Sequence, residues 1–350
     1  MSPAQKQQEY YQEFANRIIQ RIKEGTAPWQ KPWRPGERFL PENLSSGRNY
    51  TAGNSIYLAD AAERRGFADN RWATYRQIKA LGGHVRQGEP GEKVVFFQRS
   101  KRILERDDQG KPKTDAEGNR VYRHERLDKP VWRTYTVFNA EQTAGLKLDR
   151  PDTPQPLWKA HKRAEAVMQA TDATIRHVQG DRAYYHRNRD EIVLPERGQF
   201  PSANHYYQTA LHELGHSTGH PTRLDRDTLK DGIKQGFGSV PYAREELRAE
   251  ISAMMTGERV GAGHDPARGA AYVEGWVQAL EEDPREIHRA AADAQRMTNY
   301  VLEAARERLQ GIDQEIAESA RGQEIPRDRA PDRDRPARAP DRTAALEPSR

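Results

Sequence analysis

The 350-residue sequence contains no cysteine, which excludes disulfides, thiol nucleophiles, thiolate zinc sites and iron–sulfur clusters. Any bound metal must be held by His, Asp or Glu. Long apolar runs are missing too: no stretch approaches the roughly 18 residues of a spanning helix. The opening MSPAQKQQEYYQEF lacks the apolar core of a signal peptide. No membrane association and a cytoplasmic location are expected. Apolar residues are scarce, 35% against 31% charged, and mean hydropathy is −1.04, so part of the chain has too little to bury.

What is present is unevenly spread. Residues 1–150 hold 28 Lys+Arg against 19 Asp+Glu, and the remainder 29 against 33. The front half carries 17 of the 28 aromatic residues, whereas nine of the eleven histidines follow residue 150. These two regimes predict an α+β protein of two domains, residues 1–148 and 159–310. A proline-rich linker at 149–158 joins them, and a charged, largely disordered tail follows at 311–350. In the front half, periodicity predicts an opening helix over 5–23 and helices over 58–65 and 74–81. Short extended runs at 93–97 and 132–138 flank a turn-rich polar insertion. The rear half reads as a helix over 160–170, three short strands around 175–178, 183–186 and 191–194, and helices over 206–218 and 243–256.

The sharpest motif is Leu211-His212-Glu213-Leu214-Gly215-His216. On a helix, histidines four apart project from one face, so His212 and His216 can reach one ion at ~2.0–2.1 Å. Glu213 points aside, where its carboxylate can take a proton from the attacking water as general base. A third ligand is needed. Glu246 and Glu250 are four apart on a predicted helix, with Glu246 the preferred ligand, Glu250 the imidazole's outer hydrogen-bond partner or an alternative ligand, and Glu245 a weaker competitor. A solvated charged face is the competing reading of this segment. His220 falls at the wrong spacing for a third histidine, since that position is Thr222, and is kept as an alternative ligand or a cleft residue. Tyr242 is placed to donate to a developing oxyanion, with a core tyrosine as the equal alternative. The expected cofactor is Zn2+ or another divalent metal in its place. The strands before this helix could offer an edge to an extended peptide.

The front half interleaves rings with cations: Trp29, Lys31 and Trp33; Arg48 and Tyr50; Arg71, Tyr75 and Arg76; Arg133 and Tyr135. Cations along phosphates and flat faces for bases are the ingredients of single-strand binding, each stack being worth roughly 1–3 kcal/mol. For each ring a core position is the competing reading, and Trp72 and Phe138 are read as core.

Short motifs in order carry a resemblance: Pro28–Trp33, Pro41–Tyr50, Gly53-Asn54, Arg71-Trp72, Val85–Gly88 and Val137–Asn139 in front, His212–His220, Arg223-Leu224 and Tyr242–Glu246 behind. The sequence resembles the ArdC-type antirestriction proteins of mobile elements. The resemblance implies a single-stranded-DNA-binding front domain, to which Arg86 is added as a contact, and a zincin-like metallopeptidase rear domain. It implies protection of incoming DNA from host restriction, with single-stranded DNA as partner and a protein as the peptidase's substrate. Two rival readings stay open: a non-catalytic, metal-stabilised scaffold behind the DNA module, and a cytosolic metalloprotease whose front domain binds a protein.

Overall fold

The computed structural model describes residues 2–34, 38–148, 157–266 and 269–322. Of the expected linker at 149–158, residues 149–156 lie outside the described residues, while Leu157 and Trp158 instead open a helix; the expected disordered tail from 323 to 350 also lies outside them. Residues 311–322, assigned from sequence to that tail, are instead helical.

The order is α1 (Pro3–Lys23), β1 (Glu42–Asn43), β2 (Arg48–Asn49), α2 (Gly53–Arg64), β3 (Arg71–Thr74), α3 (Tyr75–Ala80), β4 (His84–Val85), β5 (Glu92–Leu104), β6 (Tyr122–Asn139) and β7 (Thr143–Ala144). There follow α4 (Leu157–Gln169), β8 (Thr174–Val178), β9 (Tyr184–His186), β10 (Glu191–Pro195), α5 (Ala203–Ser217), α6 (Asp227–Gln235), α7 (Val240–Val260), α8 (Val273–Glu282), α9 (Glu286–Ala304) and α10 (Arg306–Gly322). A five-stranded sheet of order β2-β1-β3-β6-β5 organises the front half. A three-stranded sheet, β8-β10-β9, precedes the motif helix and leaves β9 on its edge.

Helix α1 starts where a capping box dictates: the Ser2 hydroxyl accepts from the Gln5 amide at 3.2 Å while the Gln5 side chain accepts from the Ser2 amide at 2.7 Å. Its buried stripe is Phe14, Ile18 and Ile22. That stripe enters one core with Ile56 and Leu58 of α2, Trp72 of β3, Leu247 and Met254 of α7 and Trp276 of α8. Each such side chain contributes about 1.5–3 kcal/mol when fully buried. The front and rear segments therefore share packing within a compact unit that runs from Met1 to Leu309. A second core under β10, α5 and the end of α7 holds Leu194, Tyr206, Leu211, Leu214 and Val260.

The two short extended runs of the front half belong to one long hairpin. Strands β5 and β6 pair from Glu92↔Val137 out to Leu104↔Tyr122, with a register shift between Gln98 and Ser100. Most side chains beyond the shift are exposed or only half-buried. No alternation of apolar and polar residues marks a ladder with so little to bury, so periodicity reads it as an insertion.

Candidate metal centre and nucleic-acid interface

Helix α5 begins at Ser202, whose hydroxyl accepts from the His205 amide at 3.3 Å, and presents His212, Glu213 and His216 toward α7. Helix α7 starts at the Ser239 cap, with Pro241 in its first turn, and ends at Gly261 with φ +77°. Gly215, inside the motif, lets the two helices approach: a Cβ there would lie 3.3 Å from the Met297 methyl and 3.6 Å from Ala249 Cα.

That approach brings Glu246 to the histidine pair. Nε2 of His212 and Nε2 of His216 are 3.1 Å apart. Glu246 Oε2 is 3.2 Å from the first and Oε1 3.4 Å from the second. Ligands at ~2.0–2.1 Å from a tetrahedral ion lie about 3.3 Å from one another, so the two imidazoles and the carboxylate stand close enough to share one small divalent cation. Glu246 Oε2 is also buried with no hydrogen-bond partner, an oxygen whose desolvation a cation would offset. The other ring nitrogens are committed: His212 Nδ1 lies 3.4 Å from Glu250 Oε1 and His216 Nδ1 lies 3.2 Å from Glu245 Oε1. This turns both Nε2 atoms toward the common point.

Glu245 is anchored in turn. Arg226 donates to both its oxygens, Thr228 Oγ1 donates to Oε2 at 2.6 Å, and Arg226 also donates to the Gly215 carbonyl at 3.1 Å. Burial raises the Glu245 pKa, but Arg226 and His216 outweigh it and bring it to about 2. Glu246 is likewise held well below the usual carboxylate range, burial being outweighed by the two histidines. Burial lowers the His216 pKa, and Glu246 and Glu245 more than reverse this, to about 9. His212 rises in the same way, Glu250 and Glu246 overcoming desolvation. Carboxylates that stabilise an imidazolium stabilise a metal cation in its place.

The sequence expectations for this site divide. His212, His216 and Glu246 converge, and Glu250 backs an imidazole. Glu245, read as a rival ligand, instead orients His216. His220 stays in the turn after α5, its Nδ1 2.8 Å from Thr222 Oγ1, and is not part of the converging group. Glu213 and Tyr242 line a cleft of about 120 Å3 beside the histidines, together with Tyr184 and Tyr185 at the β9 edge and Leu229 and Ile233 of α6. The Tyr242 pKa is raised by burial and by the Glu246 carboxylate. Arg226 carries no signal in the sequence: it stands 10 residues after His216 and 19 before Glu245, a separation that no motif spacing marks.

The front-half candidates also divide. Trp29 is fully buried, its ring edge-on to Trp276 at 6.2 Å, so it is core and not a stacking platform. Trp33 is half-buried against Phe39 and the core. Tyr50 is half-buried too, donating to the Trp72 carbonyl at 3.3 Å. Arg71 donates to Asp69 at 2.9 Å and Lys31 pairs with Glu63, so both are committed within the fold. Trp72 is buried, as expected. Arg48, Arg76 and Arg86 are exposed, Arg86 donating to Glu89 at 2.9 Å. Tyr75 and Tyr135 are 54% and 46% exposed.

One exposed residue was missed. Phe96, 56% exposed, sits directly across the ladder from Arg133, and its ring centroid lies 6.4 Å from that of Tyr135. Alternation along paired strands puts Phe96, Arg133 and Tyr135 on one face. Arg133 is steadied by a 2.6 Å bond to Gln98 Oε1. The sequence shows Phe96 only as part of an extended run; its pairing with Arg133 appears with the register.

A helix carrying two histidines, a second helix supplying a carboxylate, and an edge strand beside the cleft define a zincin-like metallopeptidase domain. The sequence model of the zincin-like metallopeptidase family matches residues 162–293, and that of the N-terminal domain of anti-restriction factor ArdC matches residues 8–138. The crystal structure of antirestriction protein ArdC from plasmid R388, metal-free, is similar at TM-score 0.66 and 37% identity, covering 85% of this chain and 98% of that one. Its Mn(II)-bound form gives 0.66 and 36%, covering 84% and 97%. The chain belongs to the ArdC antirestriction family. An Escherichia coli protein named DNA primase TraC is 47% identical over 318 residues, 89% of this chain. The chain spans only 29% of that primase and 20% of a second E. coli TraC, 46% identical over 303 residues. The protein y4eC of Sinorhizobium fredii is 35% identical over 298 residues, 83% of this chain and 91% of its own length. No helix among the described residues is long and apolar enough to cross a membrane.

Proposed function

We propose that the front half binds single-stranded DNA and so shields DNA entering on a mobile element from host restriction in the cytoplasm, while the rear half is a zinc-dependent peptidase. The observation that carries the DNA reading is the exposed ring–cation–ring face of Phe96, Arg133 and Tyr135; Tyr75, Arg48 and Arg76 are exposed as well. Stacking on such a face is indifferent to base identity, and the cations follow the phosphates.

For the peptidase, His212, His216 and Glu246 hold the cation, which when bound polarises the scissile carbonyl and acidifies water. Glu213 takes the proton of the attacking water and passes it to the leaving amine. Tyr242, at the cleft wall beside Glu246, donates to the carbonyl oxygen as negative charge develops. The β9 edge gives an extended peptide main chain a strand to pair with.

The experiment is restriction protection of incoming plasmid DNA in cells carrying wild type, Glu213→Gln or a Tyr75→Ala/Tyr135→Ala double variant. Loss of protection in the tyrosine variant supports the DNA reading, and unchanged protection contradicts it. Retained protection in Glu213→Gln makes DNA binding sufficient.

A further inference from the structure

The motif Pro28–Trp33 offers no open stacking track, since Trp29 is core and Trp33 is half-buried. The stretch does something else: with Phe39 it forms one wall of a cavity of about 250 Å3. Trp33 and Phe39 meet edge to face at 4.4 Å, Phe67 and Trp72 at 5.9 Å, and all four rings line it. Ala59 and Ala62 of α2 also line it, their short side chains leaving room beside the rings.

Polar groups are few and placed among the rings. Asn70 Nδ2 donates to the Leu40 carbonyl at 2.8 Å, which leaves its Oδ1 as an acceptor. Asp69 and Glu63 also line it, the first held by Arg71 at 2.9 Å and the second paired with Lys31; Arg38, exposed, pairs with Glu42 at 3.3 Å, a contact that a phosphate would displace. The wall continues through Pro41 into β1, whose ladder partner β2 carries the exposed Arg48. An apolar cavity with aromatic walls and a few convergent polar groups is the usual form of a small-ligand site. Here the polar groups can meet the edge of a flat heterocycle while its faces rest on rings.

We propose that this cavity takes one nucleobase turned out of the single strand, with its neighbouring phosphates on Arg38 and Arg48. The proposal rests on the DNA reading above and adds a specific subsite to it. One immobilised base per bound chain would fix the strand's register, where the open Phe96–Tyr135 face only tolerates it.

The full chain is titrated by anisotropy with a labelled 15-nucleotide single strand, and separately examined by saturation-transfer NMR with nucleoside 5′-monophosphates. Ala62→Leu fills the cavity from α2, and Ala68→Leu does so from an exposed position should the first variant unfold. The expected result is transfer to base protons in wild type, lost in the leucine variants, with strand affinity reduced roughly 5- to 100-fold, the range of one lost stack. Unchanged strand affinity in a folded leucine variant overturns the cavity proposal and leaves the DNA reading standing. No strand binding by wild type overturns the DNA reading, and the monophosphate spectra then decide the cavity on their own. Transfer to an aromatic amino-acid amide instead of nucleotides overturns the proposal in favour of a peptide side chain.

Discussion

Oε1 of Glu245 meets Nδ1 of His216 at 3.2 Å, while the next residue on the same helix, Glu246, reaches Nε2 of the same ring at 3.4 Å. Consecutive carboxylates thus straddle one imidazole, one orienting it and the other closing the converging group of His212, His216 and Glu246. Replacing Glu245 with Ala frees the ring and leaves the Arg226 guanidinium buried without its partner. Metal affinity should fall about 10- to 100-fold, and stability by roughly 3–5 kcal/mol. Calorimetric metal titration and denaturant unfolding check the two effects. Glu245→Gln should retain more of the stability and still lose affinity.

Metal removal gives a second test. A ligand set shared by α5 and α7 couples metal binding to folding, so at a free metal concentration a hundred times Kd the native state gains about 2.7 kcal/mol. The unfolding temperature should rise on adding Zn2+ or Mn2+ and return with chelator. Glu246→Gln and His216→Ala should show no rise, while His220→Ala should respond as wild type does.

His288 predicts acid sensitivity. Its ring packs 4.8 Å from Tyr11 and 5.2 Å from Phe14, its Nε2 is buried without a partner, and burial lowers its pKa from 6.5 to about 4. The folded state refuses a proton that the unfolded chain accepts. The stabilisation is complete above pH 6.5 and is lost as pH falls toward 4, by ~3 kcal/mol in all. Thermal unfolding of wild type and His288→Phe across pH 4–7 should show the slope in the first and a flatter curve in the second.

Glu258 has the opposite sign. It accepts the amides of Phe39 and Leu40 at 3.2 and 2.8 Å, tying the aromatic wall of the front half to α7. Burial nevertheless dominates and raises its pKa from 4.5 to about 8. Its contribution is fully present below pH 4.5 and lost as pH rises through 8. Glu258→Gln should therefore gain on wild type as pH rises, and equal slopes between pH 5 and 8 would contradict the assignment.

That His212, His216 and Glu246 converge was legible in the sequence because the group is a spacing: two histidines one helical turn apart, and a carboxylate on another amphipathic helix. The three strands before α5 were legible from short β-prone runs between turns. What supports the ligands was not, because Arg226 reaches Glu245 only through the docking of α6 and α7. The rings of the front half show the limit most clearly. Trp29 and Tyr135 both stand near cations in sequence, yet one lies in the core beside Trp276 and the other on an open ladder. Composition cannot separate them, since the difference is set by what the opposite face of each element packs against.

Those two rings also separate binding from stability. Trp29→Ala should cost about 3–5 kcal/mol of folding free energy through the cavity it leaves. Tyr135→Ala should leave unfolding nearly unchanged and weaken strand binding by roughly 1–3 kcal/mol.

The most direct test is the affinity of the full chain for a labelled single strand as salt is raised, for wild type and for Phe96→Ala/Arg133→Ala/Tyr135→Ala. The account predicts wild-type binding at micromolar protein or below that weakens steadily with salt, with the triple variant weaker at every salt concentration and flatter in its salt dependence. Wild-type affinity absent, insensitive to salt, or matched by the triple variant would contradict it.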